Sequence, residues 1–322
     1  MASAPAHLDV EVRPGRPALA RVTAPVDAAR WASAQRGALR AAVVTHGAVL
    51  VRGLELGSVA EVTAVFHQLG RLTIEKEAFA ARRHYSEGVY SSTKWPPNQP
   101  MCLHHEQSYA LAPPALMLFA CLAAPTAGGA TMLADAGAVL EALPAELVAR
   151  FEREGWLLAR SYHEELGASI ASAFGSEERD AVERYCRANA IELARQPDGG
   201  LRTRQLRRAV VRHPVSGQRC WFNQIAFLSE WAMEPEVRDF LIDTYGADGL
   251  PFNTRYGGGD PIGADVVRAI NAVYQAQRVG EAWQAGDLLL VDNVRCAHGR
   301  EPFAGPREVL VAMADPARLP GA

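Results

Sequence analysis

The chain has few cysteines, and none is placed to pair. Its five, Cys102, Cys121, Cys186, Cys220 and Cys296, are scattered and form no Cys-x-x-Cys. That argues against a disulfide framework and against a zinc knuckle, and it suits a reducing compartment. No apolar run approaches the roughly 20 residues needed to cross a bilayer. The stretch Met1 to Pro14 lacks the basic-then-apolar layout of a secretory leader. These absences predict a cytoplasmic protein without a membrane partner. An excess of basic charge is missing too: 33 Lys and Arg against 36 Asp and Glu leave a net charge of −3, so nucleic acid is not an expected partner. The densest basic run, Arg202, Arg204, Arg207, Arg208 and Arg212, reads as a solvated hairpin or loop, with an acidic ligand or protein surface as the alternative. No repeat, linker or composition shift divides the 322 residues. One domain with helical insertions is expected, since barrel-like folds often run this long as one unit.

What is present is a series of short apolar runs. Val26 to Thr45 reads as a helix ending at Gly47, followed by a buried strand Ala48 to Arg52. Ser58 and Glu61 have capping-box spacing ahead of a helix running to Leu69. Tyr85 to Pro100 is polar and proline-rich and reads as loop or lid, and a strand is expected over Met101 to Ser108. Further strands are expected at Ala115 to Leu122, Ala130 to Ala134, Trp156 to Ser161, Asp287 to Asp292 and Glu308 to Met313. Leu206 to Val211 and Arg219 to Gln224 read as a hairpin. Helices are expected at Ala138 to Glu154, Glu177 to Ile191, Glu234 to Tyr245 and Ala264 to Val279, with Tyr256-Gly-Gly-Gly-Asp260 as a turn rather than a phosphate loop. Many short strands with inserted or flanking helices point to a mostly-β double-sheet jelly roll rather than a βαβ alternation.

Chemistry is concentrated at Leu103-His104-His105-Glu106. On a strand, side chains two apart share a face, so His104 and Glu106 would project together and His105 away. An imidazole and a carboxylate on one face can grip one metal ion. His298, beyond the apolar strand ending at Asp292, supplies a candidate third ligand. Two histidines and one carboxylate leave open positions on an octahedral ion, the facial triad of non-haem iron(II) oxygenases. Taken singly, His-x-Glu is a common tripeptide and His298 before Gly299 could be a polar turn. Arg307 starts the last strand and offers a bidentate grip on a carboxylate. Thr131 follows Gly128-Gly129 and offers a hydroxyl.

The segments Pro96 to Tyr109, Ala127 to Asp135, Trp221-Phe-Asn-Gln224 and Asp292 to Phe303, with Gly305-Pro-Arg307 after them, together resemble the TauD/TfdA superfamily of iron(II)/2-oxoglutarate-dependent oxygenases. Within it the chain is most similar to the SyrP-like and clavaminate-synthase-like group. The resemblance spans roughly residues 47–316 and implies a double-stranded β-helix. It implies that His104, Glu106 and His298 ligate iron(II), that Arg307 with Thr131 holds the distal carboxylate of 2-oxoglutarate, and that O2 is the second co-substrate. The implied outcome is hydroxylation or desaturation of an unactivated C–H bond. The implied substrates are amino acids or amino-acid-derived intermediates of natural-product pathways, free or tethered to a carrier protein. Glutamate as the carboxylate ligand, where the taurine-type branch has aspartate, favours the clavaminate-synthase-like side. The presence of a carboxylate at all argues against the related halogenases. The interval from His298 to Arg307 is short for the family, which leaves Arg300 as a rival for the carboxylate role. Asn223, Gln224, Gln107, Arg82 and Arg83 are candidate substrate contacts, against the plainer reading of strand-edge or solvated polar residues. A zinc hydrolase using the same ligands and a non-catalytic jelly-roll sensor are the competing readings.

Overall fold

A computed structural model of the chain describes residues 8–319, apart from 24–25, 78, 80–81, 164–166 and 197–199. Its largest sheet has eight strands. Three apolar ones lie side by side near its centre: Leu288–Asp292, Pro114–Ala123 and Glu308–Pro316. All pair antiparallel, with Leu290 opposite Leu118 and Leu118 opposite Ala312.

These strands read as unbroken apolar runs because both faces of the sheet are covered. Alternate side chains part to opposite faces. Leu116, Leu118, Leu288, Leu290 and Leu310 join one core. It is completed by Leu39 and Val43 of the helix Ala28–His46 and by Val65 and Phe66 of the helix Val59–Leu69. Met117, Phe119, Leu289, Val309 and Val311 enter a second core, shared with Leu133 and Cys296 of a smaller sheet. That smaller sheet has the order Met101–His104, Cys296–Arg300, Thr131–Asp135. The two sheets close face to face as the expected jelly roll. A four-stranded sheet, Glu192–Arg195, Leu201–Arg207, Trp156–Tyr162 and Asn253–Tyr256, is inserted with its helices between the smaller sheet's strands in sequence.

Local signals held where they were strong. Ser58 caps its helix through Glu61 N, and the Glu61 carboxylate reaches back to Gly57 N. Several expectations need correction. The strand expected to Ser108 stops at His104, because the chain turns at Gln107, whose φ is +49°. Residues in the expected loop from Tyr85 form a small hairpin, His84–Ser86 with Val89–Ser91, on the edge of the large sheet. Pro144 splits the helix expected from Ala138 to Glu154 into Ala136–Ala142 and Ala145–Glu154, since a proline inside a helix removes a backbone donor. The expected hairpin from Leu206 is shorter, Val210–Arg212 with Arg219–Trp221, and residues up to Arg207 belong to another sheet. The basic run is interrupted as well: Arg207 is buried and donates to the carbonyls of Tyr109, Asn189 and Ala190. The helix expected to Val279 ends at Gln277; it starts at Ala264 as expected, after the turn whose Asp260 pairs with Arg150.

Candidate metal centre

His298 and His104 are direct partners across the antiparallel ladder of the smaller sheet, so their side chains rise together from adjacent strands. Their ring centroids are 4.6 Å apart. The ladder slips between His298 and Arg300, where two residues of one strand span three of the other. Such bulges re-aim side chains. Gly299 lies within this strand and not in a turn. A Cβ there would meet Met101 O at 2.6 Å, so glycine is what lets the two histidine-bearing strands approach.

Glu106 arrives by a different route from the one its sequence spacing implies. It lies in the turn after the strand, and Asn293 holds that turn. Asn293 Oδ1 accepts from Glu106 N at 2.8 Å, and Asn293 Nδ2 donates to the carbonyls of Glu106 and Pro114 at 2.9 and 2.8 Å. His105 points away from the site, as expected, and its Nδ1 lies 2.6 Å from Asn293 O. The outcome is that one ligand atom from each of His104, Glu106 and His298 lies within 4.8 Å of the others, and all three residues are buried.

The electrostatics suit a cation. His104 Nδ1 lies 2.9 Å from the carbonyl of Cys102, which fixes that nitrogen as the donor and leaves Nε2 with a free lone pair. Burial, reinforced by His298, pushes His104 down to about 3, so the ring is neutral as a metal ligand must be. Burial alone would raise the Glu106 carboxyl, but Arg82 and the two histidines outweigh it and hold it well below the ordinary carboxylate range. Arg82 donates to Glu106 Oε2 at 3.0 Å and to Thr93 at 3.1 Å. Phe227 stacks on His104 at 4.2 Å, and Phe119 meets His298 edge-on.

Two cavities open from the triad. One is lined by Ser92, Phe119, Thr131, His298, Arg300 and Arg307, among others. Arg307 is half-buried there and donates to Gly129 O at 3.0 Å and Ser92 Oγ at 3.3 Å, with no carboxylate partner among the described residues. Burial, with Arg300 nearby, pushes it down to about 10. A half-buried cation without a counter-ion offers an anionic ligand a charge-assisted, bidentate partner. Arg300 lines the same cavity, but its Nη atoms donate to the carbonyls of Trp95, Pro96 and Gln99 and thereby hold that loop.

The second cavity, about 110 Å³, is walled largely by apolar and aromatic side chains and reaches His104 and Glu106. Gln224 lines it. Asn223 does not: its amide donates to Ala209 O and accepts from Ile225 N. Gln107 donates to Lys76 O and lines neither cavity. Arg82 faces inward, whereas Arg83 is exposed and lies over Tyr85. Sequence reasoning passed over Asn293, Glu75 and Phe227. Only Asn293 had a signal, its place in Asp292-Asn-Val-Arg beside the third ligand.

The sequence profile of the "Taurine catabolism dioxygenase TauD, TfdA family" matches residues 11–313. The chain belongs to the TauD/TfdA family. Among relatives of this oxygenase, the dapdiamide synthesis protein DdaC of Enterobacter agglomerans is 35% identical over 271 residues, covering 84% of this chain and 82% of that protein. A clavaminate synthase-like protein of Arabidopsis thaliana is 28% identical over 279 residues, covering 83% and 81%. In fold, the oxygenase is similar to PvcB of Pseudomonas aeruginosa, with a TM-score of 0.55, 15% identity and 98% of each chain covered. As a TauD/TfdA dioxygenase the protein is an oxidoreductase that uses Fe(II), 2-oxoglutarate and O2.

Proposed function

We propose that this oxygenase hydroxylates or desaturates an unactivated C–H bond of an amino acid or amino-acid-derived intermediate in natural-product biosynthesis. The observation that carries the reading is the arrangement around the triad: a half-buried arginine with no carboxylate partner among the described residues on one side and an apolar cavity on the other. His104, Glu106 and His298 would hold the metal. Arg307, with the Thr131 hydroxyl in the same cavity, would hold the distal carboxylate of 2-oxoglutarate. Iron, 2-oxoglutarate and O2 together supply the oxidant for the C–H bond. The chain's own residues orient and exclude: Asn293 fixes Glu106, Cys102 O fixes the tautomer of His104, and Phe227 and Phe119 shield the two imidazoles from water.

The relatives support the pathway class. DdaC is named for dapdiamide synthesis, and PvcB is described as an oxygenase from an isonitrile synthetic pathway. The proposal covers a substrate that is either free or tethered to a carrier protein, and the tethered case has its own test. The outward arginines of the basic run, Arg204, Arg208 and Arg212, would be the docking residues for an acidic carrier, and charge reversal there should slow turnover of a carrier-bound substrate only.

The test is an anaerobic titration of metal-free protein with Fe(II) and 2-oxoglutarate, following the visible metal-to-ligand charge-transfer band. A band that needs both components and vanishes in His298→Ala is the expected result. Absence of the band, with tight zinc retention or no metal binding, would overturn the oxygenase reading.

A further inference from the structure

Three cavities meet at Arg82: the one containing Arg307, the apolar one above His104, and an outer one bounded by Ile74, His84, Glu87 and Tyr90. Glu75 lines both the apolar and the outer cavity. Its side chain is 11% exposed, and its nearest cation is Arg82, with Nε 3.4 Å from Oε1. Among the described residues its carboxylate accepts no hydrogen bond, whereas its backbone N–H donates to Tyr90 Oη. A carboxylate can accept about four hydrogen bonds, so the Glu75 carboxylate is left with its acceptor capacity turned to these cavities. Burial accordingly pushes Glu75 up to about 7 in spite of Arg82.

Arg82 has the complementary deficit. Its Nε and Nη2 are engaged by Thr93, Glu75 and Glu106, but its buried Nη1 has no partner among the described residues. Gln224 Oε1, in the same cavity, is also buried without one. A carboxylate short of donors thus stands beside a guanidinium N–H short of an acceptor. An ammonium and an acyl oxygen on neighbouring carbons would answer both. The rest of the wall, Phe79, Trp95, Phe227, Leu228, Met233 and Phe252, suits an apolar side chain.

We propose that Glu75 and Arg82 recognise the aminoacyl head of the substrate, Glu75 taking a protonated amine and Arg82 Nη1 the adjacent acyl oxygen. The substrate is then an α-amino acid, or the same group on a carrier thioester, with an apolar side chain over His104. This rests on the oxygenase reading and adds the group by which substrate is chosen.

The experiment is anaerobic calorimetry on protein loaded with Fe(II) and 2-oxoglutarate. The probes are L-leucine, L-methionine and L-phenylalanine, their pantetheine thioesters, and the deaminated acids 4-methylpentanoate and 3-phenylpropanoate. At least one amine-bearing probe should bind, and its deaminated counterpart should bind roughly thirtyfold more weakly, as expected for loss of a buried charge pair. Glu75→Gln should weaken the amine-bearing probe by a similar factor and leave the deaminated acid unchanged. Binding of the free acids alone identifies a free substrate, and binding of the thioesters alone a carrier-bound one. The inference is overturned if no amine-bearing probe binds, if the deaminated acids bind equally well, or if Glu75→Gln binds like the wild type. The charge-transfer band of Glu75→Gln keeps this apart from the oxygenase reading, because a variant that retains the band has an intact metal site. If the variant loses the band, the wild-type comparison of amine-bearing and deaminated probes decides.

Discussion

Gly299 packs against the carbonyl of Met101, and that contact sets the distance between the strands bearing His298 and His104. Gly299→Ala should therefore act on the metal more than on the fold. Overpacking of this kind costs roughly 1–3 kcal/mol, here taken up by the bulged ladder. The expected result is a native far-UV spectrum with Fe(II) affinity at least roughly tenfold lower. Wild-type affinity in Gly299→Ala would show that the strand spacing does not set the site.

Arg307→Ala and Arg300→Ala should separate the two arginines of the proposed co-substrate cavity. Arg307 has no carboxylate partner of its own, whereas Arg300 holds three backbone carbonyls. Loss of Arg307 should weaken 2-oxoglutarate by roughly 30-fold or more. Loss of Arg300 should lower thermal stability with a smaller effect on 2-oxoglutarate. Titration of the charge-transfer band against 2-oxoglutarate measures both, and the reverse order would move the carboxylate role to Arg300.

Asn293→Leu removes a buried amide that makes three hydrogen bonds, two of them to the Glu106 backbone. The stranded backbone groups should cost about 3 kcal/mol or more, read as a lower denaturation midpoint in urea. Metal affinity should fall with it, since Glu106 then sits on a loose turn. Unchanged stability would show that the turn is held by other contacts.

Glu75 gives a pH prediction for the metal-free, ligand-free protein. Its folded-state value is raised from 4.5 to about 7, through burial first, with Glu106 adding and Arg82 opposing. The other groups around its cavity are Tyr90, His84 and Glu87. A raised carboxyl favours the folded state below the unfolded value and loses that advantage as pH rises through the folded one. Glu75→Gln, which mimics the protonated form, should match wild type below about pH 4.5 and gain stability up to about pH 7. The gain should then level off, at roughly 3 kcal/mol at most. Melting curves at pH 5 and pH 8 test it, and an equal difference at both would contradict the assignment.

Much of this was legible in the sequence because it is written in local patterns. The apolar runs around Leu118, Leu290 and Val311 gave the central strands, and the Ser58 cap gave a helix start. The juxtaposition of the candidate metal ligands was legible too, but for a reason the structure revises: Glu106 joins His104 through a turn held by Asn293, not through strand alternation. Arg82 was harder. Next to Arg83 it looks like half of a solvated pair, and its pairing with Glu106 depends on a fold that brings residues 24 apart to one point. Asn223 shows the opposite: a polar residue read as a strand edge or substrate contact is buried, and its amide is engaged by the backbone of Ala209 and Ile225. Neither outcome has a periodicity to betray it.

The contact between His105 and Asn293 joins residues 188 apart, and the strand Pro114–Ala123 lies between two strands from the end of the chain. During synthesis, His104 and Glu106 therefore emerge long before His298, Arg307 or either flanking strand. Closing so long a loop comes late and at an entropic cost. A nascent chain holds only two of the three proposed ligands and lacks the strand that buries them. On that assignment iron is gripped firmly only once His298 has folded against them, so oxygen chemistry is withheld until the walls that contain it are in place.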